Sequence, residues 1–271
     1  MAGGTSNDLA RANRYMNDSI LDRPARAGES APRCVLVAGA SGGIGAALCS
    51  QIARSFPAAR IIRMARDPAA LGPLTAASVD VRLDIAEEQQ IRDAVALIPE
   101  TPPIDWIFIA TGWLHDAEHR PEKTYKSLDA DHLLHSYRIN AVGPALLLKH
   151  LIPRLNPENA CRIGIISARV GSISDNRLGG WHAYRASKAA LNMLIKNFAI
   201  ELARKKTSHI VAGLQPGTTD TALSAPFQRN VPEDELQTPE YTAIQLVKVL
   251  QKLRPEDSGG LFDFLGLPFA P

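Results

Sequence analysis

Cys34-Val35-Leu36-Val37-Ala38-Gly39-Ala40-Ser41-Gly42-Gly43-Ile44-Gly45-Ala46-Ala47-Leu48 is the stretch whose reading decides the fold of this chain. Residues 34–38 form an unbroken apolar run, the pattern of a strand covered on both faces. A helical pattern follows over 43–55. Glycines at 39, 43 and 45 permit a tight turn, close approach of backbone to a phosphate, and close packing of the new helix on the sheet. The helix start, with Ser41 and Ile44 beside it, would then point free amides at a diphosphate. A glycine-rich turn without a ligand is the alternative. Its position between the first strand and the first helix of a βαβ unit favours dinucleotide binding.

Outward from that turn, short apolar runs alternate with helical patterns. Strands are expected over 60–64, 79–83, 106–110, 162–167, 210–214 and 261–265. Helices are expected over 68–76 (short), 86–98, 129–153, 182–205 and 238–253. Apolar strands separated by helices specify a parallel sheet covered on both faces, so the fold class is α/β. The chain has 271 residues, 45% hydrophobic and 21% charged, with formal charge +2. Such a balance has no leaning toward nucleic acid, and no apolar run reaches membrane-spanning length. Cys34, Cys49 and Cys161 have neither CxxC nor metal spacing and are expected as buried free thiols in a cytoplasmic protein. Residues 1–32 lack a sustained period and are expected as a disordered extension, with a short helix near 7–16 possible. An organelle-targeting peptide is the alternative for this segment, on Arg11, Arg14, Arg23 and Arg26, with four acids counting against it. Residues 33–271 form the single expected domain.

The end of the second strand chooses between dinucleotides. An acid there would hold ribose hydroxyls, whereas an arginine would hold a 2′-phosphate. In Met64-Ala65-Arg66-Asp67, Ala65 stands at the acid's place and Arg66 follows it, favouring NADP(H) over NAD(H). After the third strand, Asp84, next to Ile85, either accepts from an adenine amino group or caps the next helix.

Tyr184 and Lys188 are four apart on the 182–205 helix and therefore share a face. A nearby ammonium stabilises a phenolate and lowers its pKa, so the pair suits acid/base work on an alcohol/carbonyl couple. By itself such spacing is more often a surface pair.

With the glycine turn, Asp84, Asn140 and Tyr184-x-x-x-Lys188 in this order, the chain resembles the short-chain dehydrogenase/reductase family over roughly residues 33–271. Ala110 to His115, Arg169 to Gly180 and Leu223 to Gln228 make it most similar to the C-factor and sniffer-type carbonyl reductases. The resemblance implies a doubly wound Rossmann fold of seven parallel strands in the order 3-2-1-4-5-6-7. It implies an NADP(H)-dependent oxidoreductase moving a hydride between nicotinamide and a carbonyl or secondary alcohol. Tyr184 would be the acid/base, Lys188 would tune it and bind the nicotinamide ribose, and Asn140 would hold a relay water. Ala110, Thr111 and Gly112 stand where the family has Asn-Ala-Gly, with its first Asn replaced by Ile109. Pro216, Gly217, Thr219 and Thr221 match the loop over the nicotinamide, and 222–237 a lid on the substrate. Members of that family often dimerise or tetramerise through the helices matching 129–153 and 182–205, so the resemblance implies a homo-dimer or homo-tetramer.

One departure concerns the family's substrate-orienting serine, whose place is taken by Ala168. Ser167 is offered for that role, with Ser172 as a second candidate. Loss of a donor to a carbonyl oxygen would cost about 3 kcal/mol of transition-state stabilisation. A cofactor-binding signalling protein with little turnover is therefore the alternative function. The histidines at 115, 119, 132, 135 and 150 lack a completing metal pattern, so no metal is expected. The cations 204–206 close a helix, where they suit its dipole. Trp113, Trp181 and Phe227 either line an apolar pocket or pack within loops.

Overall fold

The computed structural model describes residues 19–24, 30–156 and 159–271. Seven parallel strands form the sheet: β1 (Cys34–Ala38), β2 (Arg60–Ala65), β3 (Ser78–Arg82), β4 (Trp106–Ile109), β5 (Arg162–Ile166), β6 (Ile210–Gln215) and β7 (Leu261–Asp263). Their order is 3-2-1-4-5-6-7, as expected from the sequence. β1 lies between β2 and β4, Val35 opposite Ile61 on one side and Trp106 on the other. Every residue of β1 and β4 is buried, the consequence of helices on both faces.

Helices α1 (Gly43–Ser55) and α6 (Pro239–Lys252) cover one face, with Leu48, Ile52, Leu246 and Leu250 in its core. The other face carries α2 (Glu88–Ala96), α3 (Ala130–Tyr137), α4 (Gly143–Leu151) and α5 (His182–Arg204), with Ile91, Leu147, Leu148, Leu191 and Ile195 packed together.

Three expected elements change. The helix over 68–76 reduces to a 3-10 turn, Pro68–Ala70, because Gly72 and Pro73 stop propagation. The helix over 129–153 is interrupted by a π turn, Arg138–Val142, centred on Asn140. Pro144 has no amide to close an α turn onto the Asn140 carbonyl, which favours the irregularity there. The last strand ends at Asp263, whose carboxylate accepts from the amides of Leu265 and Leu267 and turns the chain.

Residues 19–24 lie against the domain. Ile20 is buried among the α1/α6 core, a burial that contributes about 2 kcal/mol, and its amide donates to Gly266 O at 3.0 Å. Arg23 forms a bidentate pair with Asp257 at 2.5 and 3.0 Å. The helix expected near 7–16 lies outside the described residues. All three cysteines are buried and unpaired, and burial pushes the Cys34 thiol up to about 11 and Cys49 to about 12. Among the described residues no helix is long and apolar enough to cross a membrane.

Candidate active site

Gly39 and Ala40 both donate to Met64 O, at 2.9 and 3.0 Å, so β1 turns sharply over the end of β2. Gly39 has φ +84°, and a Cβ there would lie 2.9 Å from the backbone of Ala110 and Thr111. A Cβ on Gly45 would lie 2.0 Å from Gly39 O. The turn therefore closes only without these side chains. α1 then starts at Gly43 with no side-chain cap, its first amides free, and Ser41 and Gly43 are exposed. A Cβ on Gly43 would come within 2.6 Å of Thr221 Cγ2. The first turn, the Ala110-Thr111-Gly112 segment and the loop after β6 thus meet in one place. Thr111 Oγ1 is buried there without a hydrogen-bond partner. Free amides, an orphan hydroxyl and a floor cleared of side chains fit a dinucleotide diphosphate.

At the end of β2, Ala65 is buried and Arg66 is exposed. Asp67 is committed to its own turn, accepting from Ala69 N at 3.1 Å. The buried arginine of this strand is Arg63, bound by Asp80 at 2.6 Å through both carboxylate oxygens. Asp84 caps no helix: it accepts from Ala86 N at 3.0 Å in a local turn, and α2 begins only at Glu88. Ile85 beside it is buried.

Tyr184 and Lys188 lie in the first two turns of α5, the Lys188 ammonium 5.8 Å from the Tyr184 ring centre. Lys188 is 2% exposed and donates to Ile166 O at 2.9 Å, at the end of β5. Burial pushes the Tyr184 phenol up to about 12 and the Lys188 ammonium down to about 8. This differs from the expectation that Lys188 depresses the phenol: loss of hydration outweighs an ammonium bonded to a carbonyl instead of the hydroxyl.

Asn140 is fully buried and its amide is saturated. Oδ1 accepts from Trp113 N and Nδ2 donates to Trp113 O, both at 2.8 Å, and Nδ2 also reaches the hydroxyls of Ser136 and Ser187 at 3.2 and 3.1 Å. Ser187 in turn donates to Tyr184 O at 2.9 Å. Asn140 therefore ties the loop after β4 to the helix bearing Tyr184. A Cβ placed on exposed Gly112 would lie 3.8 Å from Asn140 Oδ1 and 4.0 Å from Lys188 Nζ, so the three converge at the sheet's carboxyl edge. Ser136 and Ser187 were not singled out in the sequence. Polar residues on otherwise apolar helix faces, beside Asn140 and Lys188, were the available signal.

Ser167 is 1% exposed and its hydroxyl donates to Asn192 Oδ1 at 2.6 Å. Among the described residues no hydrogen bond links it to Tyr184 or Lys188. Ala168 follows in extended conformation (φ −148°, ψ 141°) and turns its methyl to the opposite side. Ser172 is buried and accepts from Asp175 N at 3.2 Å.

The segment after Thr221 folds over the mouth. His115 Nε2 lies 3.1 Å from Leu223 O, and the Phe227 ring sits 5.5 Å from His115 and 4.9 Å from Trp181. Trp181 is 6.3 Å from the Tyr184 ring. The two-residue strands Thr218–Thr219 and Leu236–Gln237 pair at the base of the segment. Pro216 and Gly217, at φ +74°, make the turn before it. Thr219 is turned inward, its hydroxyl 2.9 Å from that of Thr242. Trp113 packs against the rings of His132 and His135 at 5.1 and 4.6 Å, the loop-packing alternative. Among the described residues no group of three or more His, Cys, Asp or Glu is placed to hold a metal.

The model of the short chain dehydrogenase family matches residues 33–232. The chain is 33% identical over 191 residues to 1-hydroxy-2-glutathionyl-2-methyl-3-butene dehydrogenase of Rhodococcus sp. (strain AD45), covering 69% of this chain and 78% of that protein. It is 30% identical over 139 residues to the C-signal protein of Myxococcus xanthus, covering 51% and 78%. The fold matches the NADPH-bound carbonyl reductase from chicken fatty liver with a TM-score of 0.73 at 24% identity, covering 88% of this chain and 99% of that one. Its glycine turn and its Tyr184/Lys188 helix thus sit in a matched frame, and the chain belongs to the short-chain dehydrogenase/reductase family of NAD(P)-dependent oxidoreductases.

Proposed function

We propose that the protein is an NADP(H)-dependent carbonyl reductase in which Tyr184 delivers the proton. The observation that carries this reading is the convergence of Gly112, Asn140 and Lys188, with the Lys188 ammonium 5.8 Å from the Tyr184 ring centre. A tyrosine hydroxyl carries its proton at neutral pH and can give it to a developing alkoxide, which is the direction of reduction. When bound, the nicotinamide supplies the hydride; the chain supplies position and the proton. Gly39, Ser41, Gly43, Ile44, Gly45, Thr111 and Thr221 would hold the diphosphate side, Asp84 and Ile85 the adenine, and Ala110, Gly112, Pro216, Gly217 and Thr219 the nicotinamide side. Lys188 would hold the nicotinamide ribose. With the Asn140 side chain occupied, its main-chain carbonyl is the group left for a relay water.

Exposed Arg66 next to an acid already engaged in its own turn supports NADP(H). Charge-assisted contact with a 2′-phosphate is worth about 2 kcal/mol. Arg66→Ala is expected to weaken NADPH binding about thirtyfold and to leave NADH within about threefold; equal losses for both would remove the preference. Ser167 takes a structural place in this reading, and the aromatic lid of Phe227 and Trp181 favours an apolar carbonyl compound. Assembly as a homo-dimer or tetramer and a cytoplasmic location accompany the proposal.

The test is oxidation of NADPH and of NADH with a panel of aldehydes, ketones and quinones. Turnover with NADPH supports the reading. Dinucleotide binding by calorimetry with no turnover on any panel member favours the signalling alternative, for which Ala168 and the similarity to C-signal speak.

A further inference from the structure

α5 begins in an unusual way. Gly179, Gly180 and Trp181 all have positive φ, at +63°, +65° and +50°, and Trp181, the residue before the helix, provides no side-chain cap. Left-handed backbone at a tryptophan is disfavoured and persists only where surrounding contacts impose it. Those contacts come from another loop. Glu122, 3% exposed, accepts from Trp181 N through its main-chain oxygen at 2.5 Å. Its carboxylate accepts from Ala183 N through both oxygens, at 3.3 and 3.2 Å. The missing cap of the helix is thus supplied by a distant loop of the same chain, one residue ahead of Tyr184. Glu122 belongs to the loop that Asn140 anchors at Trp113, and His132 Nδ1 lies 3.8 Å from its carboxylate.

We propose that Glu122 is a positioning residue: by holding Trp181 N and Ala183 N it sets both the Tyr184 hydroxyl and the Trp181 ring at the mouth of the site. This rests on the reading of Tyr184 as the acid/base. A carboxylate closing a helix start matches the positive end of its dipole, so the contact is suited to fixing the first turn.

Glu122→Leu keeps bulk and removes the acceptor, whereas Glu122→Gln keeps an acceptor. Native-state hydrogen exchange at Ala183, together with kcat, KM and dinucleotide affinity, separates positioning from stability. Glu122→Leu is expected to exchange Ala183 N–H about tenfold faster, consistent with loss of a cap. Its kcat should fall about tenfold, with dinucleotide affinity within about twofold, while Glu122→Gln restores both exchange and kcat. Should the leucine variant not fold, Glu122→Thr, too short to reach Ala183, replaces it. Unchanged exchange and kcat in Glu122→Leu, or equal losses in Leu and Gln, would overturn the proposal. The exchange measurement needs no turnover, so it stands apart from the acid/base reading, which fails separately if Tyr184→Phe keeps its activity.

Discussion

At the first turn of the sheet, the dinucleotide half of the site is made by side chains that are missing: a Cβ on Gly45 would sit 2.0 Å from Gly39 O, and one on Gly43 would strike Thr221. At α5, the proton-handling half is made by side chains that are buried and bonded: Lys188 to Ile166 O, Asn140 to Trp113, Ser187 to Tyr184 O. The first half tolerates no added side chain at Gly39 or Gly45, and its charge comes from free amides and exposed Arg66 without burying an ion. The second is electrostatically costly, because it removes the Lys188 ammonium from water. One half fails by steric exclusion, the other by loss of a specific proton or bond.

The sharpest way to break the first half is Gly45→Val. The added atoms must displace Gly39, so dinucleotide affinity is expected to fall more than a hundredfold, with destabilisation of about 3 kcal/mol. Calorimetry and thermal unfolding check both. Affinity within tenfold of wild type would show that the turn is not the binding floor.

Lys188→Met tests the second half and should separate activity from stability. Turnover is expected to fall about a hundredfold or more. Because burial lowers the ammonium to about 8, the folded state binds fewer protons than the unfolded chain between there and the usual lysine value. The cost of burying the charge is therefore complete below about pH 8 and fades as pH rises toward 10.5. Lys188→Met should consequently be more stable than wild type at pH 7, by about 1–3 kcal/mol, and lose that advantage above pH 10. Denaturant unfolding at the two pH values reads the difference.

The smallest effects are expected at the end of β5. Ser167→Ala removes a bond to Asn192 and should cost about 1 kcal/mol of stability with turnover within about threefold. Ala168→Ser should raise turnover about tenfold, since a hydroxyl there would add the absent donor to a carbonyl oxygen. The reverse ranking, with Ser167→Ala inactive and Ala168→Ser unchanged, would put Ser167 at the substrate.

These contrasts also explain what was legible in the sequence. β1 and α1 have the boundaries expected for them, because apolar continuity and glycine placement are backbone properties. The pairing of Tyr184 with Lys188 on one face follows from helical period alone. Side-chain partners are another matter. That Ser167 points to Asn192, that the Asn140 amide is occupied by Trp113, and that Glu122 caps α5 all depend on residues between 25 and 61 positions apart in sequence. The π turn at Asn140 and the shrinkage of 68–76 were foreshadowed only by Pro144, Gly72 and Pro73, residues that break a period without saying what replaces it. Burial of Ile20 had little local signal, since the pair Ile20-Leu21 in a polar segment acquires its meaning from Gly266 across the chain.

The most direct measurement is Tyr184→Phe, assayed in parallel for NADPH affinity and for carbonyl reduction at neutral pH. Removing only the phenolic hydroxyl leaves the glycine turn intact, so affinity should stay within about twofold while turnover falls a thousandfold or more. Retained turnover with retained affinity would contradict the assignment of Tyr184 as the proton donor.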